Sequence, residues 1–166
     1  MALATDITPV AAELYLLPVQ TRVPLKFGTE TLTHVTCARV KMTVQDRSGR
    51  QAHGWGETPL SVQWVWPSPR PYAERYQLLE DFTRQLTTRW VQGLRGVWGH
   101  PLELGHHFQM QVMQAAHASA PAGASSRPTP ASMEPAPHPP TAQDIPHLAQ
   151  LVCASAFDLA LHDAFG

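Results

Sequence analysis

Cysteine is scarce in this 166-residue sequence: Cys37 and Cys153 are the only two. They stand far apart and outside any C-x-x-C spacing, which excludes a disulfide framework and a zinc knuckle and suits a reducing compartment. Charge of one sign is lacking as well. Twelve Lys and Arg against thirteen Asp and Glu leave a formal net charge of -1 and a pI near 6.7, so the electrostatic footprint of a nucleic-acid or anionic-membrane binder is missing. No uncharged apolar run reaches the roughly 18 residues of a membrane span. The opening Met-Ala-Leu-Ala-Thr-Asp has no basic n-region of a signal peptide. G-x-S-x-G, the P-loop and the Rossmann fingerprint do not occur, so nucleophilic-hydrolase and nucleotide-binding readings have no anchor. The expectation is a cytoplasmic, soluble protein with no nucleic acid and no membrane among its partners.

What is present is a 43% share of hydrophobic residues, unevenly spread. His34 to Asp46 alternates strictly, with Ala38, Val40, Met42 and Val44 against Arg39, Lys41, Thr43 and Gln45; that is a strand with one dry and one wet face. Ala11 to Leu17 reads as a strand ended by Pro18, followed by a long loop from Val19 to Thr33. Asp46-Arg47-Ser48-Gly49 supplies a turn, and Gln51 to Glu57 returns as a third strand. An antiparallel meander of three strands needs a layer packed on its apolar face.

Trp64 to Pro71 is a proline-stiffened connection whose Trp64 and Trp66 suit an interface. Beyond it, Tyr72, Tyr76, Leu79, Phe82, Leu86 and Trp90 recur at helical spacing and form one stripe over about five turns. Gly93 and Gly96 end that helix. A second helix starts after His100-Pro101, with Leu104, Phe108, Val112 and Ala115 on one side. His100, Glu103 and His107 fall at metal-compatible spacing, but without H-E-x-x-H or clustered Cys and His. From Ala118 to Asp144 the chain is Ala, Pro, Ser, Gly and Thr with scarcely a large side chain, which reads as a disordered insertion. Leu148 to Phe165 is helical in propensity and apolar nearly all round. Leu148, Leu151, Val152, Ser155 and Leu159 share one face; Cys153, Ala156, Phe157, Ala160, Leu161 and Ala164 share the other.

His53-Gly54-Trp55-Gly56-Glu57-Thr58-Pro59 stands out for its two glycines, which let a ligand or a second domain approach the backbone. Trp55 and Glu57 then point to one common face. The Gly-x-Gly also reads as a bulge with Trp packed against a helix.

Taken with this stretch, the meander, the helices and the closing Ala154-Ser155-Ala156-Phe157-Asp158-Leu159-Ala160-Leu161-His162-Asp163-Ala164-Phe165-Gly166, an A-x-D-x-A-L-x-D-A-x-G pattern, resemble one family. The chain is similar to the N-terminal capping domain of the enolase superfamily, in its mandelate racemase and muconate lactonizing branch, over roughly residues 7 to 100 and 145 to 166. The resemblance implies an α+β fold, a three-stranded antiparallel β-meander followed by a helical bundle. It implies three divisions: 1–117 capping sheet and first helices, 118–144 insertion, and 145–166 the helix at the start of a (β/α) barrel whose remainder lies outside these residues. It further implies that the loops at Val19 to Thr33 and Gly54 to Leu60 lie over a small carboxylate substrate, with Lys26, Phe27, Trp55 and Glu57 shaping specificity. Proton abstraction α to the carboxylate, with Mg²⁺ stabilising the enediolate, is the chemistry so implied for the parent. Its bases and metal ligands would sit on the barrel, so no catalytic residue, metal ligand or cofactor is expected within this chain, and Asp158 and Asp163 are structural. A homo-oligomer stays open, as does a non-catalytic interaction module that binds a partner through the 148–165 helix.

Overall fold

The computed structural model describes residues 3, 5–27, 30–113 and 144–166. Three strands, β1 (Ile7–Phe27), β2 (Glu30–Asp46) and β3 (Gln51–Pro59), form one antiparallel sheet in the order β1-β2-β3. The helices that follow are α1 (Val62–Val65), α2 (Tyr72–Gly93), α3 (Pro101–His107), a π-helical turn (Phe108–Met113) and α4 (His147–Phe165). This is the α+β layout expected from the sequence. Of the tract 118–144, read as an insertion, all but Asp144 lies outside the described residues.

The alternation in β2 sets the layers. Ala38, Val40, Met42 and Val44 are all buried under α2 and α4, and Ala12, Leu14 and Leu16 of β1 pack beside them. On α2 the stripe of Leu79, Phe82, Leu86 and Trp90 is buried, as its spacing predicts. Tyr72 is exposed, however, and the buried place one turn on belongs to Arg75.

The long loop expected at Val19 to Thr33 is instead a β-ribbon. β1 continues through Pro18, which pairs with Thr36, to Gln20 opposite His34; the register then shifts, residues 21–24 standing against residue 33 alone, and pairing resumes at Leu25 and Leu32. Proline stops a central strand, but β1 is an edge strand, where a missing N–H can face outward without breaking the ladder. The bulge absorbs Pro24, and Thr21 Oγ1 donates to the Thr33 carbonyl across it at 3.1 Å. β3 likewise runs past Glu57 to Pro59, and a single helical turn, α1, interrupts the connection that follows.

The metal-compatible spacing of His100 and Glu103 has a local use. His100 Nδ1 accepts from the Leu102 amide at 3.3 Å and Glu103 Oε2 from the His100 amide at 3.1 Å, a capping box that closes the start of α3.

α4 shares the core of the sheet. Its Ala156, Ala160 and Ala164 lie at four-residue spacing against Gly54 and Gly56 of β3. A methyl group at residue 54 would land on the Ala164 nitrogen and one at residue 56 on the Ala156 carbonyl oxygen, each also within 2.6 Å of Ala160 backbone. Asp163 Oδ2 accepts from the Trp55 amide at 2.8 Å, so the open edge of β3 is tied to the helix. The glycines of the Gly-Trp-Gly stretch therefore admit the chain's own closing helix.

Two measurements follow from this packing. Gly56→Ala forces helix and strand apart and is expected to lower stability by about 3 kcal/mol, whereas Gly166→Ala, with no atom nearer than 3.9 Å, leaves it unchanged; urea melts of the two variants decide. In the β2–β3 turn, Asp46 accepts from Ser48 and Arg50. Hydrogen bonds, that of the Ser48 hydroxyl foremost, hold its carboxyl down at about 2. A depressed folded value contributes stability that is complete above the unfolded value of about 4 and is lost as pH falls toward about 2. The stability of Asp46→Asn is expected to fall less than that of the parent over that window, as acid titration followed by circular dichroism would show.

Candidate functional site

The polar trough at the base of the β-ribbon is the best-built candidate. Thr33 and His34 of β2 form one wall, Gln63 of α1 another, and the Ser68 to Pro71 connection with Tyr72 and Arg75 of α2 the third; the cavity measures about 620 Å³. The sequence builds it locally. Pro67, Pro69 and Pro71 stiffen the connection, the Arg70 amide donates to Ser68 Oγ at 3.2 Å, and Pro71 caps α2 in an extended conformation. A second cavity of about 340 Å³, lined by Pro18, Val35, Thr36 and Tyr76, also borders His34 and Tyr72, so the two form one depression.

Its electrostatics are those of an acceptor-seeking site. Arg75 is 2% exposed and donates from Nη1 to the Trp66 carbonyl, the end of α1, at 2.6 Å. Arg70 lies over the Trp66 ring at 5.7 Å and has Asp144 Oδ2 4.0 Å from its Nη1. That Nη1, and Gln63 Oε1 across the trough, are buried atoms without a hydrogen-bond partner. One is a donor and the other an acceptor, each enclosed by protein atoms at the trough's wall. Tyr72 and Tyr76 stack at 6.2 Å alongside, and the Tyr76 hydroxyl shares a 2.8 Å hydrogen bond with Thr36 Oγ1. Burial raises the Tyr76 phenol above its ordinary value.

The residues singled out from sequence fall in two places. Lys26 is exposed near the tip of the ribbon, opposite Thr31, and Phe27 is the last residue of β1, with its side chain outside those described. Trp55 and Glu57 share the outer face of the sheet, away from α4. Trp55 is 45% exposed and its ring lies 5.9 Å from that of Tyr15. Glu57 pairs with Arg39 at 2.7 Å across the ladder, and with Trp55 they border a shallow cavity of about 330 Å³. Burial, followed by the neighbouring Glu57 charge, pushes the Cys37 thiol up beside them. Along β2 the partners of Lys26 and Glu57, Thr31 and Arg39, are about 26 Å apart at strand rise. The structure brings Trp55 and Glu57 together and leaves Lys26 at the far end.

Gln63, Arg70 and Arg75 were not among the sequence candidates. The signal for Arg75 was its place three residues after Tyr72 and four before Leu79, a cation inside an apolar stripe. Nothing local marked Gln63 or Arg70, which meet the ribbon only through the fold.

No family model and no curated protein matches this sequence. Among solved structures, the chain is similar to an enolase from Streptomyces coelicolor at 18% identity and a TM-score of 0.35, over 68% of this chain and 23% of that one. It is also similar to the L-Ala-D/L-Glu epimerase from Bacillus subtilis, in a substrate-liganded complex, at 19% identity and a TM-score of 0.28, over 51% of this chain and 27% of that one. The chain thus spans about a quarter of the length of either.

The two arginines separate by stability. Arg75→Leu leaves a buried carbonyl without its charged donor and is expected to cost about 2 kcal/mol, whereas Arg70→Met, at the trough surface, stays within about 0.5 kcal/mol of the parent. Chemical denaturation of both variants checks this.

Proposed function

We propose that this chain is the substrate-capping domain of an enolase-superfamily enzyme of the mandelate racemase and muconate lactonizing type. The observation that carries the reading is the asymmetry of α4. One face is locked into the sheet at Gly54 and Gly56, while the other presents an apolar stripe along which Leu148 and Leu159 are 49% and 51% exposed. A stripe of that kind is what a domain resting on a further layer would offer.

In this reading the ribbon and the connection after α1 close over the mouth of a barrel. The trough then faces the substrate, a small carboxylate carrying hydroxyl groups, with Arg70 supplying positive charge and Gln63 the polar wall across from it. Asp144, Asp158 and Asp163 do not fit a magnesium site. Asp163 is engaged with the Trp55 amide, Asp144 lies beside Arg70, and Asp158 is packed over Gly105; among the described residues no three His, Cys, Asp or Glu side chains gather closely enough for a metal. Mg²⁺, which would stabilise the enediolate, belongs in this reading to the barrel. Two free, buried cysteines suit the cytoplasm.

The test joins this chain to the residues that follow it in its gene and measures exchange of the α-proton of hydroxy acids with deuterated solvent, with and without Mg²⁺. Exchange that needs Mg²⁺, with Arg70→Met raising KM about tenfold and kcat little changed, is the expected result. Absence of barrel strands in that longer chain, together with a stable dimer formed through α4, would favour the interaction-module reading instead.

A further inference from the structure

The glycines that seat α4 also fix the residue between them. Trp55 is held at its amide by Asp163 at 2.8 Å, and the strand on either side of it is locked against the helix at Gly54 and Gly56. Its side chain points the other way, to the face of the sheet away from α4, where it is 45% exposed. Tryptophan is highly buried on average, so a ring kept in water on a fixed backbone is unusual. Such a ring is a platform, because a ligand that lies on it orders little that is not already ordered.

The polar groups beside this ring are open to solvent as well. Glu57 stands on the same face two residues along β3, about 7 Å away at strand rise, with Arg39 opposite it and Lys41 opposite Trp55. Arg39 and Glu57 meet at 2.7 Å with side chains 48% and 39% exposed, and Lys41 meets Glu13 at 3.3 Å with 30% and 51%. The Tyr15 ring lies 5.9 Å from that of Trp55, tilted by 36°, and its hydroxyl donates to Glu13 at 2.8 Å. Arg39, Trp55, Gly56 and Glu57 all line the one cavity of about 330 Å³. An apolar cavity of about 150 Å³ holds benzene, so a six-membered ring with its substituents fits here.

The charges around the platform cancel in pairs, and that restricts what can bind. An anion drawn to Arg39 meets Glu57 at once, and a cation drawn to Glu57 meets Arg39. Hydroxyl groups accept from the guanidinium and donate to the carboxylate without separating the pair. The exposed indole adds a demand for an apolar surface. A pyranose meets both demands, with C–H bonds on its ring face and hydroxyls round its rim. We propose that the outer face of the sheet at Trp55 binds a neutral pyranose sugar, its ring face against the indole and its rim hydroxyls on Arg39 and Glu57. This site lies about 17 Å from the trough, by strand rise along β2 from His34 to Arg39, and stands whether or not the capping role does.

Methyl β-glucopyranoside, glucuronate and glycerol titrated into the full chain, with the indole N–H resonances followed by NMR, test it. The glucoside is expected to shift one indole resonance, identified as Trp55 by its loss in Trp55→Ala. Trp64→Ala, which removes another exposed indole, leaves that titration unchanged. Glycerol, which has hydroxyls and no ring, gives no shift. Glucuronate binds about tenfold more weakly than the glucoside in the parent, and Glu57→Gln reverses that order by taking the carboxylate away from Arg39. No shift at hundreds of millimolar glucoside, an equal response to glycerol, or an order of glucoside and glucuronate that Glu57→Gln leaves unchanged, each overturns the proposal. If Trp55→Ala does not fold, the ranking of the three probes in the parent and in Glu57→Gln decides alone.

Discussion

The seat of α4 on Gly54 and Gly56 is the constraint from which the rest of the molecule follows. Helix and strand approach so closely there that no side chain fits between them, and the three alanines of α4 that face the strand are small for the same reason. Close approach brings backbone and methyl groups into dense dispersion contact, and the 2.8 Å bond from the Trp55 amide to Asp163 fixes the helix along the edge of β3. An uncovered edge strand is a liability that proteins routinely cover or charge; here the covering group is one carboxylate.

That seat decides the orientation of everything beside it. With its alanine face spent on β3, α4 presents Cys153, Phe157 and Leu161 to the core beneath α2, where the Cys153 thiol is driven up to about 11 by burial. The flank from Leu148 to Leu159, beside the alanine face, remains at the surface. By length and composition alone α4 would qualify as a membrane span. Its packed alanine face accounts for that composition, because a helix lying between two layers is apolar on both sides. The trough at the base of the ribbon and the platform at Trp55 lie in separate regions of the same fold, one polar and lined by arginines, the other an exposed ring flanked by two ion pairs.

Much of the fold was legible in the sequence, because it rests on periodicity. The alternation in β2 survives intact, the stripe on α2 holds from Leu79 to Trp90 but gives way at Tyr72 to Arg75, and the two faces assigned to α4 are the buried and the open ones. What periodicity misjudged was the ribbon: Pro18 and Pro24 look like strand breakers until β1 is known to be an edge strand and residues 21–24 to form a bulge. The Gly-Trp-Gly stretch was legible as a place of close approach, but the sequence left open what approaches. The candidate site was less legible. Trp55 and Glu57 could be placed on one face from alternation alone, whereas Gln63, Arg70 and His34 become neighbours only when the connection after α1 folds back on the ribbon, and no local pattern encodes that meeting.

The central claim is that α4 is locked on one side by its own sheet and open on the other. Binding of a dye that fluoresces on exposed apolar surface tests it most directly, in the parent chain and in Leu148→Glu/Leu159→Glu. The account predicts strong fluorescence with the parent, its near loss in the double variant, and melting temperatures within about 2 °C of each other, as for surface changes. A parent chain that leaves the dye dark, or a double variant that melts many degrees lower, would contradict it, because those leucines would then be part of the core.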